Sequence, residues 1–423
     1  MIRKKISKGL LVLMTFLSSV SMAQVTNSPY TFNGLGDVAD LGLINTLGMG
    51  GLGVSYGSPW FINNVNPALL VRNGLFTTFD IGAASDLRHI RDASGSNTNF
   101  QAGLYNAILS VPVSRDRWVA SIGLKPLTNV RYNINSTQTV VSDGEEFEVQ
   151  NQFQGTGGLS QFFISNGVKL NKNFSVGLMS SYTFGAITKT LLQNPLSSSS
   201  AIDDSFLFIN EDSILSVSGF TFQLGGAYQG KIGNDTYLNL GGAYMFESNL
   251  NATELVTISN AGTPADTVQN LSGKVTFPAT TWAGISFEKR YKWMVGFDYR
   301  RQQWDKFRDF QGNNEGLRPS DLYILGGKYT PNINDVNNYW NRVTYRAAVR
   351  FENTQYMQNN NQVQDLGINF GLSLPVYTAS YINFAVQVGQ RGSLDKGQVR
   401  ENYAKIFLGF TFNDKWFIRR KLD

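Results

Sequence analysis

Apolar and polar residues alternate with a period of two along much of the chain. Within residues 281–301, for example, Ile285 and Phe287 lie between small or polar neighbours. This alternation predicts β-strands with one apolar and one polar face. Fifteen segments carry the pattern, at residues 75–84, 102–113, 117–125, 132–141, 158–170, 174–187, 214–229, 236–247, 281–289, 292–301, 321–329, 342–352, 365–375, 381–390 and 403–412.

Such strands fit either a soluble β-sandwich with an apolar core or a membrane barrel whose apolar face meets lipid. Two details favour the barrel. The polar-face positions are often glycine, serine or asparagine, as a crowded lumen requires, and aromatic residues lie near strand ends, as at Tyr291, Trp293, Tyr299 and Tyr403. We therefore predict an all-β fold, an antiparallel transmembrane β-barrel. Because single-chain bacterial barrels usually have an even number of strands, we expect about fourteen.

The N-terminus has the features of a secretory signal peptide. Four lysine and arginine residues lie between positions 3 and 8, and an apolar run at 10–17 follows them. Ser21 and Ala23 then supply the small residues that precede a cleavage site. Residues 1–23 are therefore predicted to be removed on export, because the apolar run is too short to remain as a transmembrane helix.

Composition restricts the chemistry of the chain. Its 423 residues include no cysteine and one histidine, His89, which excludes disulfides, multi-histidine metal sites and cysteine nucleophiles. The sequence has no G-x-S-x-G elbow at a strand–helix turn and no nucleotide-binding motif. We expect no catalytic residues, no metal ligands and no cofactor, and thus a protein that is not an enzyme.

The net charge of the chain comes largely from its signal peptide. The full chain has a formal charge of +5, but residues 1–23 hold four basic and no acidic residues, which leaves 32 basic against 31 acidic residues. Charged residues are 16% of the chain, below the roughly 25% of soluble domains. A nearly neutral exported chain gives no electrostatic reason to expect a nucleic-acid partner.

The segment between the signal peptide and the first strand differs from the rest. Gly48, Gly50, Gly51 and Gly53 lie close together, and the period-two pattern is absent. Their spacing is not the G-x-G-x-x-G of a dinucleotide loop. Because glycine allows backbones to approach closely and Pro67 fixes a bend, the segment favours tight packing in a confined space.

The order of motifs resembles a known family. A GMGG sequence at 48–51 precedes Trp60 and Phe61, and Asn66, Pro67 and Ala68 follow before the strands begin. This resembles the FadL-type outer-membrane transporters of hydrophobic compounds, in which an N-terminal plug with an Asn-Pro-Ala motif sits inside a fourteen-stranded barrel. The resemblance implies a plug at 24–72, a barrel at 73–412, a tail at 413–423, and a place among the outer-membrane lipids of a Gram-negative bacterium.

Two sets of residues are candidates for contact with a ligand. Apolar residues near the plug motif either line a path for an apolar solute or seal the plug against the wall: Leu41, Leu43, Ile44, Trp60, Phe61 and Ile62. Charged residues expected to point into the lumen either bind a ligand carboxylate or form ion pairs that anchor the plug: Glu288, Lys292, Asp298, Arg300, Arg342, Arg346 and Arg350.

The connections between strands are of two kinds. Polar stretches at 191–212, 249–271, 302–319 and 332–339 predict external loops, whereas 113–117 and 289–291 predict short turns at the inner face.

Three functions fit these observations. The resemblance favours passive uptake of hydrophobic small molecules such as long-chain fatty acids. The alternatives are a FadL-like barrel that binds or shuttles a protein of a type IX-like secretion apparatus, and a structural barrel that conducts nothing. An apolar cavity or a lateral gap in the wall would favour uptake, and an exposed apolar loop rim would favour a protein partner.

Overall fold

The computed structural model describes residues 28–40, 42–93, 95–142, 145–195, 209–260, 264–377 and 379–416. The predicted signal peptide lies outside these ranges. The strands of the described chain are β1 (Asp37–Val38), β2 (Thr77–Arg91), β3 (Ser96–Ser114), β4 (Trp118–Pro126), β5 (Thr128–Ser142), β6 (Glu145–Lys169), β7 (Phe174–Pro195), β8 (Ile209–Gly233), β9 (Thr236–Met245), β10 (Ser248–Asn260), β11 (Asp266–Phe277), β12 (Thr280–Lys289), β13 (Trp293–Gln302), β14 (Ser320–Tyr329), β15 (Thr344–Gln358), β16 (Asn361–Tyr377), β17 (Ser380–Arg391) and β18 (Arg400–Asp414).

Strands β2 to β18 form a closed antiparallel barrel. The last strand closes the wall by pairing with the first, from Arg400 opposite Arg91 to Asp414 opposite Thr77. Three crossings of the wall each consist of two consecutive strands, namely β4 with β5, β9 with β10, and β11 with β12, since both members of a pair lie along the same neighbouring crossing. The described chain therefore crosses the wall fourteen times, which confirms the expected number. The predicted segment 132–141 is the continuation of 117–125.

The two faces of the wall differ as the alternation predicts. On β7, Val176 and Leu178 are exposed on the outer face, while Ser175 and Met179 are buried on the inner face. The same division holds along most other strands, β10 and β11 excepted, so most of the outside of the barrel is apolar and the inside packs against residues 28–72. We call these residues the inner segment.

The inner segment has little regular structure. It contains β1, a four-residue helix α1 (Ile44–Leu47), and the 3-10 helices Pro29–Phe32 and Pro67–Asn73. Elsewhere the described chain forms helix α2 (Tyr339–Arg342) and the 3-10 helices Trp304–Lys306 and Leu394–Lys396. None of the helices in the described ranges has the length and apolar character needed to cross a bilayer.

Two expectations about the connections are wrong. Residues 249–271 are mostly the strands β10 and β11, whose pattern was hidden because Asn249, Asn251 and Thr253 on the exposed face are polar. The stretch 332–339 lies at the same end of the barrel as the short turns, since Thr330 N–H donates to the Lys292 carbonyl at 2.7 Å. The stretch 191–212 falls partly on β7 and β8, and 196–208 lies outside the described residues.

Candidate functional site

We call the end of the barrel that holds the β3–β4 and β12–β13 turns the short-turn end, and the opposite end the long-loop end. At the short-turn end, Asn66 fixes the inner segment to the wall. Its side chain is fully buried, and Nδ2 donates to the carbonyl oxygen of Val54 at 2.8 Å and to that of Gly226 on β8 at 3.0 Å. The Oδ1 atom accepts from the Ala68 N–H at 3.0 Å and caps the helix Pro67–Asn73. One asparagine therefore joins two parts of the inner segment to one wall strand.

Glycines in the wall allow this close approach. A Cβ atom on Gly177 of β7 would lie 2.3 Å from the Pro67 carbonyl carbon. A Cβ atom on Gly225 of β8 would lie 2.2 Å from Asn66 Oδ1. Real Cβ atoms do not approach other atoms this closely. The Asn-Pro-Ala sequence can therefore lie against the wall only because these two positions are glycine.

Asp298 on β13 holds the middle of the inner segment. Its Oδ2 atom accepts from the N–H groups of Gly53 and Val54, both at 2.8 Å. The side chain is buried, so the carboxylate exchanges water for two backbone donors. The inward carboxylate of Asp298 therefore attaches the inner segment to β13.

Toward the long-loop end, Asp40 carries the attachment. Its carboxylate pairs with Arg350 of β15 and with Lys405 of β18, each at 2.5 Å, and the Tyr105 hydroxyl donates to its carbonyl oxygen. Burial alone would raise the pKa of Asp40, but the two cations outweigh burial and hold that pKa below its ordinary range. Asp40 therefore stays charged and bound.

A second group of ion pairs surrounds Asp37. Its Oδ2 atom lies 2.7 Å from Arg391 of β17. Burial alone would raise the pKa of Asp37, but the positive charges of Arg391 and Arg88 lower it by more. The pKa of Asp37 is therefore below its ordinary value. Arg88 also pairs with Glu401 at 2.7 Å, and Glu401 accepts from the Ser28 hydroxyl at 2.6 Å. The inner segment is thus held to several strands by charge.

The wall is open on one side toward the long-loop end. β3 pairs with β4 only along 107–114, and no described strand pairs with this edge of β3 along 96–106. β5 pairs with β6 on one edge, and its other edge pairs only with β1, at Asn129 and Thr128. A gap therefore separates β3 from β5. At its base Asn129 Nδ2 donates to Gln101 Oε1 at 3.3 Å.

Glycines bend the wall beside this gap. Gly158 on β6 has φ +146° and Gly185 on β7 has φ +154°, conformations that L-residues rarely adopt. A Cβ atom on Gly158 would lie 2.3 Å from the Thr128 carbonyl oxygen, at the point where β4 passes into β5. One on Gly185 would lie 2.2 Å from the Gly158 carbonyl oxygen. The sheet is creased where β5 separates from β3.

A cavity of about 470 Å³ lies between the inner segment and the wall, and it reaches the gap. Leu104 and Asn129 line it at the gap, and Val54 and Trp282 line it inside. The ion-paired Asp40 lies on its charged side. The cavity therefore offers both an apolar and an ionic lining.

The apolar candidates of the inner segment pack against the wall rather than line this cavity. Leu43 and Ile62 are buried in one cluster with Ile108 and Phe163, and Ile44 is buried in a second cluster. This packing favours sealing over a path.

Two aromatic candidates lie at the short-turn end. The Phe61 ring is 5.0 Å from the ring of Tyr381, and the Trp60 ring is 5.3 Å from that of Tyr291. Trp60 lines two further cavities there, of about 590 and 390 Å³. The remaining candidate, Leu41, lies outside the described residues.

The predicted lumen charges divide into two groups. Buried positions on the inner face are occupied by Glu288, Asp298, Arg300, Arg346 and Arg350. The other two lie outside the strands. Lys292 is exposed in the turn before β13, so the expectation for it is wrong. Arg342 ends α2 before β15 begins, is half-buried, and lines the cavity of about 590 Å³ that Trp60 also lines.

The buried arginines have different partners. Arg300 pairs with Glu352 at 2.7 Å, and Arg350 pairs with the same carboxylate at 3.2 Å. Arg346 donates to the Ser373 hydroxyl at 2.5 Å and lies over the Phe61 ring, 5.5 Å from its centroid. No carboxylate within the described ranges forms an ion pair with Arg346.

Sequence reasoning missed the residues that carry most of the ionic attachment. Lys405 faces inward in the predicted strand 403–412 and was within reach of the alternation. Arg391 lies one residue beyond a predicted strand, and Asp37 and Asp40 lie in a segment without periodicity. In the part of the chain that the structure describes, no group of side chains has the arrangement of a metal site.

Solved structures share this fold. The toluene transporter TodX of Pseudomonas putida matches at 16% identity with a TM-score of 0.59, over 91% of this chain and 100% of that one. The toluene transporter TbuX of Ralstonia pickettii matches at 16% identity and 0.58, over 90% and 99%. A Pseudomonas aeruginosa FadL homologue matches at 12% identity and 0.53, over 89% and 99%. At these identities the likeness concerns the fold, which is that of the FadL-type channels.

Sequence comparison places the chain more narrowly. Curated protein sequences give no match. The family described as BamG matches over residues 1–423, the full length of the chain. A match of this extent shows membership, and the protein belongs to the BamG family.

Proposed function

We propose that this protein is a passive channel for hydrophobic small molecules in the outer membrane of a Gram-negative bacterium. The observation that carries the proposal is the gap between β3 and β5, together with the cavity that reaches it. Phe100 and Leu104 are exposed on β3 beside the gap. An apolar solute can therefore pass between the lumen and lipid through the side of the wall without crossing water.

The cavity suits a small solute of this kind. Its volume of about 470 Å³ is within the range of roughly 300–1,000 Å³ found for ligand pockets. Removal of apolar surface from water contributes roughly 25 cal/mol per Å², so binding needs few polar contacts. The charged side of the cavity suits the head group of an amphiphile, so the proposed solutes include long-chain fatty acids as well as simple aromatic hydrocarbons, the class named for TodX and TbuX.

The inner segment is the plug in this proposal, and the full plug corresponds to residues 24–72. Asn66, Pro67 and Ala68 keep it seated at the short-turn end, while the ion pairs of Asp37 and Asp40 are the contacts next to the cavity. Passage then depends on movement of the plug and on a concentration gradient.

The absence of cysteine allows a direct test. Gln101→Cys and Asn129→Cys place two thiols across the base of the gap, where a short bis-methanethiosulfonate reagent can join them through two reducible disulfides with release of sulfinate. The readout is uptake of a labelled long-chain fatty acid by Gram-negative cells that lack their own channels for it. Cross-linking should reduce uptake about tenfold, and reduction should restore it.

The matched control joins strands that are already paired. Ser85 on β2 lies beside Ala102 on β3, opposite it in the sheet, so Ser85→Cys with Ala102→Cys leaves the gap free. Uptake by the cross-linked control should equal that of the wild type. Equal uptake by both cross-linked pairs, or wild-type uptake no higher than that of cells without the barrel, would show that the channel proposal is wrong.

A further inference from the structure

The two sides of the gap are strand edges whose backbone groups have no partner strand among the described residues. Along residues 133–139 of β5 and 96–106 of β3, no described strand occupies the edge that faces the gap. Such a row of free N–H and C=O groups is a template for pairing with another chain. Natural proteins usually protect it with charge, proline or a covering segment.

Neither edge has charge or proline to protect it, and no strand of the described ranges covers it. Residues 133–139 and 96–106 contain no charged residue and no proline, and nearly all of 133–139 is exposed. The upper edge of β11 makes a useful contrast. It carries Asp266 and Lys274, and the loop after β13 covers it, since Thr276 N–H donates to the Arg308 carbonyl at 2.9 Å.

The inner segment already shows how the β5 edge binds a chain. β1 pairs with it in antiparallel register at Asn129 and Thr128. Directly above, the Ser28 N–H donates to the Arg131 carbonyl at 2.7 Å, and the Arg131 N–H donates to the Thr31 hydroxyl at 3.1 Å. Both backbone groups of Arg131 therefore point to the gap.

The alternation of backbone groups along a strand shows which residues of β5 beyond Arg131, toward Ser142, also point to the gap. Because the β5–β6 register is unbroken from Val130 to Ser142, the backbone groups of every second residue after Arg131 point the same way. These residues are Asn133, Asn135, Thr137 and Thr139. The residues between them bond to β6.

We propose that the free β5 edge is a docking site for an extended, uncharged segment of another protein, which adds to β5 as an antiparallel strand above β1. The edge continues one that already binds a strand, and its uncharged surroundings favour a segment of the same character. At the base of the gap the β3 and β5 edges are within side-chain contact of each other. A single extended segment fits this site better than the wall of a second barrel.

Hydrogen exchange resolved to single residues tests the proposal on the full purified protein in detergent. The probe is a synthetic peptide of alternating threonine and valine with terminal lysines for solubility. Alone, the protein should exchange the amides of Asn135, Thr137 and Thr139 rapidly. With the peptide present, their exchange should slow about tenfold or more. The same peptide N-methylated at every residue should give no protection, because it lacks the N–H donors for either of its edges.

Two variants separate backbone pairing from other causes. Thr137→Pro removes a donor from the free edge but not from the ladder with β6, and should weaken peptide binding about tenfold. Thr137→Val keeps the donor and should bind as the wild type does. Three results would overturn the proposal: protection of these amides in the protein alone, which would mean that its own chain covers the edge; protection that rises with protein concentration together with a dimer mass; or equal binding of the plain and N-methylated peptides.

Discussion

The inner segment is attached by different physics at its two ends. At the long-loop end, Asp37 and Asp40 are held by cations from four wall strands. At the short-turn end, neutral hydrogen bonds of Asn66 and close contacts with wall glycines hold the chain. The first kind of attachment depends on charge, and the second depends on shape.

This difference indicates where the inner segment can be released. Buried ion pairs are only weakly favourable overall, because the loss of hydration offsets much of their attraction. An approaching charged group or a protonation can therefore exchange them. The close contacts with glycine backbone at the short-turn end cannot be exchanged in this way, because they depend on shape and not on charge. The cavity and the gap lie at the ionic end, so movement of the inner segment should begin there.

The largest effect should come from Asp40→Asn. This change leaves Arg350 and Lys405 without their partner at Asp40, and removing one member of a buried pair costs about 3–5 kcal/mol. We expect that loss in the free energy of unfolding, measured by urea titration in detergent with tryptophan fluorescence. Asp321→Asn is the control. Its partner Arg301 is half exposed, so the loss there should be below about 1 kcal/mol. Equal losses would mean that the ionic end is no stronger than a surface pair.

Gly177→Ala tests the other end. The added methyl group would overlap the Pro67 backbone, which cannot be relieved by a side-chain rotation, and overpacking of this kind costs about 1–3 kcal/mol. Gly226→Ala is a matched control on the next strand, because no atom lies within 4 Å of its Cβ position. We expect proteolysis near Asn66 in the first variant and not in the second. If Gly177→Ala melts as the wild type does, shape does not secure this end.

Asp298→Asn should have a smaller effect, of about 1 kcal/mol, because it keeps an acceptor for Gly53 and Val54 and removes only the charge. The same urea titration measures it. Asp298→Ala should lose more, since both donors are then buried without a partner. If the two variants lose the same free energy of unfolding, the charge of Asp298 stabilises this attachment and the two hydrogen bonds do not.

The smallest effect within ordinary conditions should come from pH. Asp37 and Asp40 have pKa values below the ordinary value of about 3.9, so their stabilising contribution is complete above that value and is lost as the pH falls through the lowered pKa. Between pH 8 and 5 the free energy of unfolding should not change on their account. Below about pH 4 it should fall, and it should fall less in Asp40→Asn. A decline of the same size in both proteins would place the acid sensitivity elsewhere.

The alternation of residues predicted the barrel because lipid on one side and a polar lumen on the other act on every second residue. It gave fifteen segments, and the expectation of an even number reduced them to fourteen strands. Where one of these environments is missing, the prediction failed. β10 and β11 carry polar residues at exposed positions such as Asn251, so the sequence predicts a loop where the structure has strands. The break at Leu127 made one crossing look like two.

The ion pairs at the ionic end were beyond prediction for another reason. Asp37 and Arg391 are 354 residues apart in sequence, and only the closure of the barrel brings them together. In contrast, the inward direction of Asp298 and Arg350 followed from alternation alone. The face toward which a side chain points is set locally by its strand, whereas its ion-pair partner is set by how all the strands of the wall come together.

The crease at Gly158 and Gly185 is a bend of the main chain, so the gap beside it depends on backbone conformation and not on a particular side chain. The side chains that line the gap can therefore vary without closing it. Conversely, a methyl group at either glycine would lie 2.2–2.3 Å from a backbone carbonyl oxygen, so the main chain at the crease would have to shift whatever side chains line the gap.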